Sequence, residues 1–402
     1  MQTSLIETLR ATADGRNAEA ILRSCVHCGF CNATCPTYQL LGDELDGPRG
    51  RIYLIKQVLE GAPATVSTRL HLDRCLTCRA CETTCPSGVR YGELLDIGRA
   101  HIEKDTRRPL PASTVRWLLR RVLPYTARFA LLLRIGQALR PLLPPSLRAS
   151  VPAQRSAPDW PVSTHQRRVL LLDGCVQPVL APDINAAAAR VLDRLGITAV
   201  RIPQAGCCGA LSHHLNAVDE AHSHMRNQID ALWPHIETGC GAIISTASGC
   251  GVHIKDYGRL LCNDPAYADK AVRVSSLCRD ISELLAGEDL SRLTVSPNLP
   301  RRIAFQSPCT LQHGQRLNGT VEKLLQGLGF ELLPVDDAHL CCGSAGTYSI
   351  LQGTLSRRLR GNKLAALEAN APALIATANI GCLTHLQAAT RVPVKHWIEL
   401  LG

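Results

Sequence analysis

Apolar and polar positions follow three different patterns along the chain. Up to about residue 105, apolar side chains recur at helical spacing in "RGRIYLIKQVLEG" and "YGELLDIGRAHIEK", which predicts a helical section. Between about 106 and 165, "VRWLLRRVL" and "ARFALLLRIGQALRPLL" predict short helices interrupted at Pro124, and a Pro/Arg-rich linker follows. From about 166 onward, short apolar runs alternate with helical patterns, which indicates an α/β unit with parallel strands.

The α/β pattern occurs twice. "RRVLLLDGC" and "RRIAFQSPC" both predict a strand that ends at a cysteine, and "AIISTASGC" matches "ALIATANIGC". Thirty-one residues separate Cys175 from Cys207, and thirty-one separate Cys309 from Cys341. Equal spacings with matching flanks indicate an internal repeat. We therefore predict four sections: residues 1–105, a connector at 106–165, a first repeat at 166–295 and a second repeat at 296–402.

Nineteen cysteines in 402 residues raise the question of the compartment. The stretch "MQTSLIETLRATADG" has no basic start followed by an apolar run, so we expect no secretory signal and a cytoplasmic protein. Disulfides are then unexpected, and metal ligation or redox chemistry becomes the favoured use of the thiols. No run of about 18 uncharged apolar residues predicts a membrane-spanning helix.

Eight of the cysteines form two runs of identical spacing, "CVHCGFCNATCP" and "CLTCRACETTCP". Three thiolates at C-x2-C-x2-C can hold one cubane cluster, and the fourth cysteine, before a proline, ligates the other cluster in two-cluster ferredoxins. We therefore predict two [4Fe–4S] clusters, one held by Cys25, Cys28, Cys31 and Cys85, the other by Cys75, Cys78, Cys81 and Cys35. Zinc is the alternative, but zinc sites usually pair C-x2-C units across a spacer. Such a section transfers single electrons and performs no substrate chemistry.

Each repeat carries four further cysteines beside Gly or Pro, at or near a predicted strand end. Ligand sites of α/β units are usually built at strand ends. We interpret these thiols as second candidate sites for a cluster or zinc: Cys175, Cys207, Cys208 and Cys250, and then Cys309, Cys341, Cys342 and Cys382. The alternative is that they are small buried apolar residues. That alternative is favoured for the three cysteines without a counterpart in the other repeat, Cys240, Cys262 and Cys278.

The net charge of +10 is concentrated in the connector, where ten arginines and no acidic residue lie between Thr106 and Pro158. Their interleaving with leucines and Trp117 favours contact with a membrane surface or a partner protein over a solvated linker. A nucleic-acid-binding iron–sulfur sensor is a further alternative. The chain shows no standard nucleic-acid module, so we expect no nucleic-acid partner.

The residues resemble a known family. Two ferredoxin runs followed by two CCG repeats are similar to iron–sulfur subunits of membrane-linked dehydrogenases and of heterodisulfide reductase. The stretches "HLDRCLTCRACETTCPSGVRYGELLDIGR", "HLCCGSAGTY", "TANIGC" and "HWIELL" resemble the iron–sulfur subunits of bacterial glycolate oxidase (glycolate dehydrogenase) over nearly the whole chain. The resemblance implies a multidomain fold, with an α-helical ferredoxin-like N-terminal domain followed by an α/β domain made of two CCG repeats.

The same resemblance implies an electron-transfer subunit of an oxidoreductase on CH–OH donors. FAD-binding partner subunits would oxidise glycolate to glyoxylate, and electrons would pass through the clusters toward a membrane quinone. The protein would then be cytoplasmic or peripheral on the cytoplasmic face of the inner membrane. Lactate or glycerol 3-phosphate is the alternative substrate of the partner.

This chain itself is expected to lack FAD and a complete substrate site, since no G-x-G-x-x-G opens a helix after a strand. The histidines after the first CCG are read as helix-surface residues rather than catalytic groups: His213, His214, His222 and His224. One departure from the wider CCG family concerns its C-x-x-C ending, because Ala247 and Asn379 replace the first cysteine of that pair. Each repeat therefore offers four thiols instead of five, which puts a noncubane cluster there in doubt.

Overall fold

The computed structural model describes residues 1–142, 144, 151–153, 155 and 159–402. Part of the predicted Pro/Arg-rich linker therefore lies outside the described residues. The first 105 residues are helical, as their 3.6-residue apolar spacing predicts. The helices of this domain are α1 (Glu7–Arg10), α2 (Ala13–Ser24), α3 (Phe30–Ala33), α4 (Pro36–Leu41), α5 (Pro48–Leu59), α6 (Val66–Asp73), α7 (Ala80–Thr84) and α8 (Tyr91–Asp105).

Two helices of the connector follow, α9 (Leu110–Val122) and α10 (Thr126–Ala138). The break between them falls at Pro124, as predicted, because proline lacks the N–H that a helix interior needs. Neither helix has a buried residue. Among the described residues, no helix combines the length and the apolar composition that a membrane span requires.

The first repeat contains a four-stranded parallel sheet in the order β2-β1-β3-β4. Its elements are β1 (Arg167–Leu171), α11 (Gln177–Leu180), α12 (Asp183–Arg194), β2 (Ile197–Arg201), α13 (Ala210–His214), α14 (Val218–Glu237), β3 (Ile243–Ser245), α15 (Ser248–Lys255), α16 (Tyr257–Leu260), α17 (Ala268–Leu277), β4 (Cys278–Asp280) and α18 (Ile281–Leu285).

The second repeat has the same topology, with parallel strands in the order β6-β5-β7-β8. Its elements are β5 (Arg302–Gln306), α19 (Thr320–Gly327), β6 (Glu331–Leu333), α20 (Tyr348–Leu351), α21 (Gly353–Glu368), β7 (Ile375–Thr377), α22 (Ile380–Gln387) and β8 (Val394–His396). The predicted fold class, a helical domain followed by two α/β repeats, is confirmed. The section boundaries at 105, 165 and 295 stay a prediction.

Two helix boundaries differ from the sequence patterns. Helix α14 begins at Val218 and runs through Pro234, whereas the apolar pattern predicts its start near His224. The predicted turn after β3 is the first turn of α15, so Cys250 lies on a helix. The start of α15 is hidden in the sequence because Gly249 and Gly251 are typical of turns.

The two repeats share one apolar core. Trp397, in the 3-10 turn that ends the second repeat, is fully buried in the same cluster as the helix α12 of the first repeat. Arg194 of α12 donates to the backbone carbonyl of Leu401 at 2.8 Å. His396 contacts the carbonyl oxygen of Thr246 at 2.9 Å. The repeats therefore stabilise each other.

The helical domain packs separately around α2, α5 and α8. Gly98 of α8 allows this close approach, because a Cβ there would lie 2.7 Å from Cγ1 of Ile55 on α5. Ion pairs attach the domain to the first repeat: Arg79 Nη1 lies 3.2 Å from Asp256 Oδ2. A hydrogen bond of 2.9 Å between Thr83 and His313 attaches it to the second repeat.

Candidate metal centres

The two ferredoxin-type loops have the same backbone shape. His27 and Thr77, each two positions after the first cysteine of its run, have φ of 58° and 53°. Gly29 and Arg79, two positions further on, have φ of 86° and 61°. These left-handed residues turn the chain so tightly that consecutive cysteines point to one side, and a helix begins directly after each loop. Equal sequence spacing thus corresponds to equal loop geometry.

The first loop surrounds a hollow of about 430 Å³ that opens to solvent. Its cysteines come from both runs, and they are Cys25, Cys28, Cys31, Cys81 and Cys85. The structure therefore brings together the four thiols predicted for one cluster. Cys28 is exposed, and the apolar side chains of Val26 and Phe30 beside it are exposed as well. An electron carrier in this hollow would lie at the surface.

The second loop surrounds a hollow of about 300 Å³. The four thiols predicted for the other cluster line it: Cys75, Cys78, Cys81 and Cys35. Cys81 lines both hollows, so the two spaces adjoin. This exchange of the fourth cysteine between runs is the arrangement that the spacing predicts.

Several donors point at the sulfur atoms of the two hollows. The amide of Thr77 donates to Cys75 Sγ at 3.4 Å, and the amide of Val89 donates to Cys85 Sγ at 3.5 Å. The hydroxyl of Tyr91 donates to Cys75 Sγ at 3.6 Å. Such donors stabilise thiolate ligands and set the reduction potential of a cluster. The donor set therefore fits an iron–sulfur centre.

A buried arginine also lies beside the second hollow. The side chain of Arg51 is 1% exposed, and its Nη1 atom lies 4.0 Å from Cys35 Sγ. Its Nε donates to the carbonyl of His71, and its Nη2 lies 3.5 Å from Asp46 Oδ1. A fixed positive charge at this position favours a negatively charged centre. Sequence reasoning missed Arg51, because it reads as one polar position of helix α5.

Burial opposes thiolate formation at three of these cysteines when no cation is bound. It raises the pKa of Cys31 to about 11, and it raises the pKa of Cys78 and Cys81 well above the usual range. Neighbouring thiols add to the effect at each of the three. A bound metal centre would compensate the buried negative charge, since metal ligation drives deprotonation of thiols.

Each repeat also brings its own four cysteines together. In the second repeat, Cys309 Sγ lies 3.8 Å from Cys341 Sγ, and Cys342 Sγ lies 3.5 Å from Cys382 Sγ. The equivalent thiols of the first repeat lie beside one another in the same pairs, Cys175 with Cys207 and Cys208 with Cys250. We call these sets the first quartet and the second quartet.

The Cys-Cys-Gly turns that carry the quartets match closely. The amide of Gly209 donates to Cys207 Sγ at 3.4 Å, and the amide of Gly343 donates to Cys341 Sγ at 3.4 Å. Both glycines have φ near 86°, and a Cβ on Gly343 would lie 2.7 Å from the carbonyl oxygen of Ser356. In the first quartet, hydrogen bonds from Cys175 and Cys208 lower the pKa of Cys207 well below its usual value.

Asn379, which stands where the wider family has a cysteine, connects the two quartets. Its Nδ2 donates to Cys382 Sγ at 3.7 Å, and its Oδ1 accepts from the amide of Gly249 at 3.3 Å. Gly249 immediately precedes Cys250 of the first quartet. The departure in the sequence thus replaces a thiol with an amide that bridges the repeats.

The second quartet adjoins the second hollow. Cys309 and Cys341 share an apolar cluster with Leu76 and Cys78 of the helical domain, and Tyr348 closes the cluster. The first hollow, the second hollow and the second quartet therefore adjoin one another in that order.

The three cysteines predicted to be small buried apolar residues belong to neither quartet, although Cys278 shares an apolar cluster with Cys208. Cys278 is fully buried in that cluster. The prediction is wrong for Cys262, whose side chain is exposed. Cys240 Sγ lies 3.5 Å from the carbonyl oxygen of Ala242.

Comparison with known proteins agrees with this division. Residues 21–89 match the 4Fe-4S dicluster domain family, and residues 169–255 and 303–387 each match the CCG cysteine-rich domain family. The glycolate oxidase iron-sulfur subunit of Escherichia coli is 58% identical over 402 residues, which cover 100% of this chain and 98% of that protein. The chain belongs to the glycolate oxidase iron–sulfur subunit family. Its resemblance to that family, and its role as an iron–sulfur electron-transfer subunit of an oxidoreductase complex, are confirmed.

Other proteins are similar to this chain at lower sequence identity. A probable glycolate oxidase iron-sulfur subunit of Bacillus subtilis is 30% identical over 92% of this chain and 90% of that protein. Lactate utilization protein A of Geobacillus thermodenitrificans is 25% identical over 58% of this chain and 98% of that protein. A crystal structure of a hypothetical protein from Helicobacter pylori covers 96% of this chain and 71% of that chain, with a TM-score of 0.54 and 9% identity. That likeness shows a shared fold alone.

Proposed function

We propose that this family member relays electrons from FAD-binding partner subunits, which oxidise glycolate to glyoxylate, toward a membrane quinone. The observation that carries the proposal is the row formed by the two adjoining thiol hollows and the second quartet. Each [4Fe–4S] cluster supplies one-electron transfer when it is bound. The protein's own part is to hold the thiols and to supply donors to their sulfur atoms.

The ligand assignment follows the lining of the hollows. We propose that Cys25, Cys28, Cys31 and Cys85 hold the surface cluster, and that Cys75, Cys78, Cys81 and Cys35 hold the inner one. The exposed apolar rim at Val26 and Phe30 is a suitable contact for a redox partner, because electron transfer requires close approach. Contact there would shield the surface cluster from solvent.

The quartets are proposed as metal sites of their own. Four soft thiols in one place suit zinc and iron–sulfur clusters alike. The second quartet adjoins the inner hollow, so a cluster there would lengthen the relay, whereas zinc there would only brace the fold. Metal analysis distinguishes the two.

The substrate proposal rests on the full-length similarity to a glycolate oxidase subunit. The experiment is anaerobic reduction of the purified complex, with this chain and its FAD-binding partners, by glycolate, by lactate and by glycerol 3-phosphate. Of the three substrates, we expect only glycolate to bleach the iron–sulfur absorbance within the time of one catalytic turnover of the complex. Bleaching by lactate and not by glycolate would overturn the proposed substrate and favour a role like that of lactate utilization protein A.

The connector is proposed to place the complex at an anionic membrane surface. Helices α9 and α10 expose the large apolar side chains of Leu110, Trp117, Leu118, Leu131, Leu132, Ile135 and Leu139. On the protein side, Arg108 and Arg116 bind Asp73, and Arg120 binds Glu220, so the helices are attached to the helical domain and to α14. Apolar side chains among arginines favour a lipid interface over open water.

A further inference from the structure

A cluster of histidines and one aspartate lies where the helical domain meets the first repeat. Asp96 comes from α8, His213 and His214 from α13, and His253 from α15. We propose that Asp96, His213 and His214 bind one divalent cation of the zinc class, with no cysteine among its ligands. The cation would connect two sections of the chain that the sequence separates by more than a hundred residues.

The ligand atoms already converge. One carboxylate oxygen of Asp96 and one ring nitrogen each of His213 and His214 lie within 4.8 Å of one another. Ligands at about 2.0–2.1 Å from a tetrahedral zinc are roughly 3.3 Å apart, so the three atoms would need to approach one another by at most about 1.5 Å. The His253 ring lies 5.3 Å from the His213 ring and 6.0 Å from the His214 ring, between centroids, and forms the wall of the site.

Two nitrogen atoms in this cluster are buried without a partner. Nδ1 of His213 and Nε2 of His253 make no hydrogen bond within the described part of the chain. A buried polar atom without a partner is costly, and native structures usually satisfy it with a hydrogen bond, a water or an ion. Coordination of a cation through Nδ1 of His213 would satisfy that nitrogen.

Two arginines near the site, Arg79 and Arg259, are paired with carboxylates. Arg79 pairs with Glu82 at 3.3 Å and with Asp256 at 3.2 Å. Arg259 lies 3.3 Å from Asp256 and 3.8 Å from Glu93. Asp96 makes no ion pair among the described residues, so its charge is available to the site.

A second cluster of similar composition lacks these properties. The carboxylate of Asp46 accepts from His71 at 3.1 Å and lies 2.7 Å from Arg74 and 3.5 Å from Arg51. These three side chains occupy both carboxylate oxygens of Asp46, so the cluster is an ion-pair network and not a cation site. The contrast identifies the histidine cluster as the one with unused ligand atoms.

The test uses the full chain, purified anaerobically with its clusters, equilibrated with Zn²⁺ and desalted. Zinc per chain is measured, and the zinc X-ray absorption edge reports whether the ligands are nitrogen and oxygen at about 2.0 Å or sulfur at about 2.3 Å. We expect about one zinc per chain with a nitrogen/oxygen shell. His214→Ala and Asp96→Asn should lose that zinc, while His222→Ala on α14 should keep it.

Zinc in a cysteine quartet does not confuse this result, because it contributes a sulfur shell that the histidine variants leave unchanged. His214 is partly exposed, so His214→Ala is expected to fold, and an unchanged iron–sulfur absorbance spectrum checks this. Equal nitrogen-ligated zinc in the wild type and His214→Ala would overturn the proposal. So would the absence of any nitrogen/oxygen shell in the wild type.

Discussion

His27 and Thr77 adopt left-handed backbone conformations that non-glycine residues rarely use, at the same position of each cysteine loop. Strained residues of this kind persist where the surrounding structure requires them, commonly at functional sites. Here they direct three thiols of a run into one hollow. The cysteine spacing predicts that the thiols converge. The left-handed backbone could not be predicted, because Gly29 is the one glycine among the four left-handed loop positions, and the others are His27, Thr77 and Arg79.

Ligation makes a clear prediction for single thiols. Cys28→Ser and Cys78→Ser should each lose or convert one cluster, because an alkoxide is a poor substitute for a soft thiolate. Glycolate-to-quinone activity of the complex should fall to background, while glycolate binding to the partner subunits survives. Cys262→Ser is the matched control: its thiol is exposed and lies apart from both hollows, so activity should stay unchanged.

Full activity in either cluster variant would mean that electrons bypass the corresponding hollow. EPR spectra of the reduced variants identify which cluster is lost. A loss of both clusters in each variant would instead point to a failure of domain folding, which the far-UV circular dichroism spectrum would reveal.

Asn379 supports a second residue-scale prediction. Asn379→Ala removes hydrogen bonds to Cys382 and to Gly249, so we expect a loss of about 1–2 kcal/mol of stability, seen as a lower Tm. Asn370→Ala is the control, because the exposed Asn370 side chain makes one hydrogen bond, to the Pro334 carbonyl. Its effect should stay within about 0.5 kcal/mol. Equal shifts in the two variants would show that Asn379 does not bridge the repeats.

At the scale of elements, apolar spacing predicts most helices and strands well. Strand β1 and helix α12 lie where their patterns place them, because both are long and strongly patterned. Helix α14 starts six residues before the predicted position, since its first turn is polar and carries Asp219 and Glu220. Polar first turns hide a helix start from any argument that depends on apolar periodicity.

Helices α9 and α10 give a prediction about membrane association. Leu131→Asp with Leu132→Asp should abolish binding of the full chain to vesicles that contain anionic lipid, because a charge opposes burial of the exposed apolar face. Val162→Asp is the control, since Val162 is 98% exposed but lies outside both helices. Sedimentation with vesicles measures the bound fraction.

Salt provides the second arm of that experiment. Attraction between the connector arginines and anionic lipid should weaken as ionic strength rises. A wild-type chain that fails to sediment with anionic vesicles at low salt would rule out the proposed membrane contact. The apolar face would then belong to a protein partner.

At the scale of the whole molecule, the shared core of the repeats could not be predicted from the sequence. Periodicity reveals each repeat separately, but it carries no information about which faces meet. The C-terminal turn packs on α12 more than 200 residues away in sequence, and Arg194 holds it there. The contact between the second hollow and the second quartet is equally non-local, because Cys78 and Cys309 come from different domains.

Trp397 tests this shared core. Trp397→Ala should destabilise the protein by about 3–5 kcal/mol, since a fully buried aromatic side chain leaves a large cavity. Both repeats should unfold together at a lower Tm, as followed by differential scanning calorimetry. Ile350→Ala, at a position that is 56% exposed, should leave the Tm nearly unchanged. Separate unfolding of the two repeats in the wild type would contradict a shared core.

The central claim is that this chain holds two adjoining [4Fe–4S] clusters. Its most direct test is anaerobic purification of the full chain, iron, sulfide and zinc analysis, and EPR of the dithionite-reduced protein. We predict about eight irons in two [4Fe–4S] clusters whose EPR signals are magnetically coupled, and any further iron would assign clusters to the quartets. Stoichiometric zinc without iron, or two signals without coupling, would contradict the account.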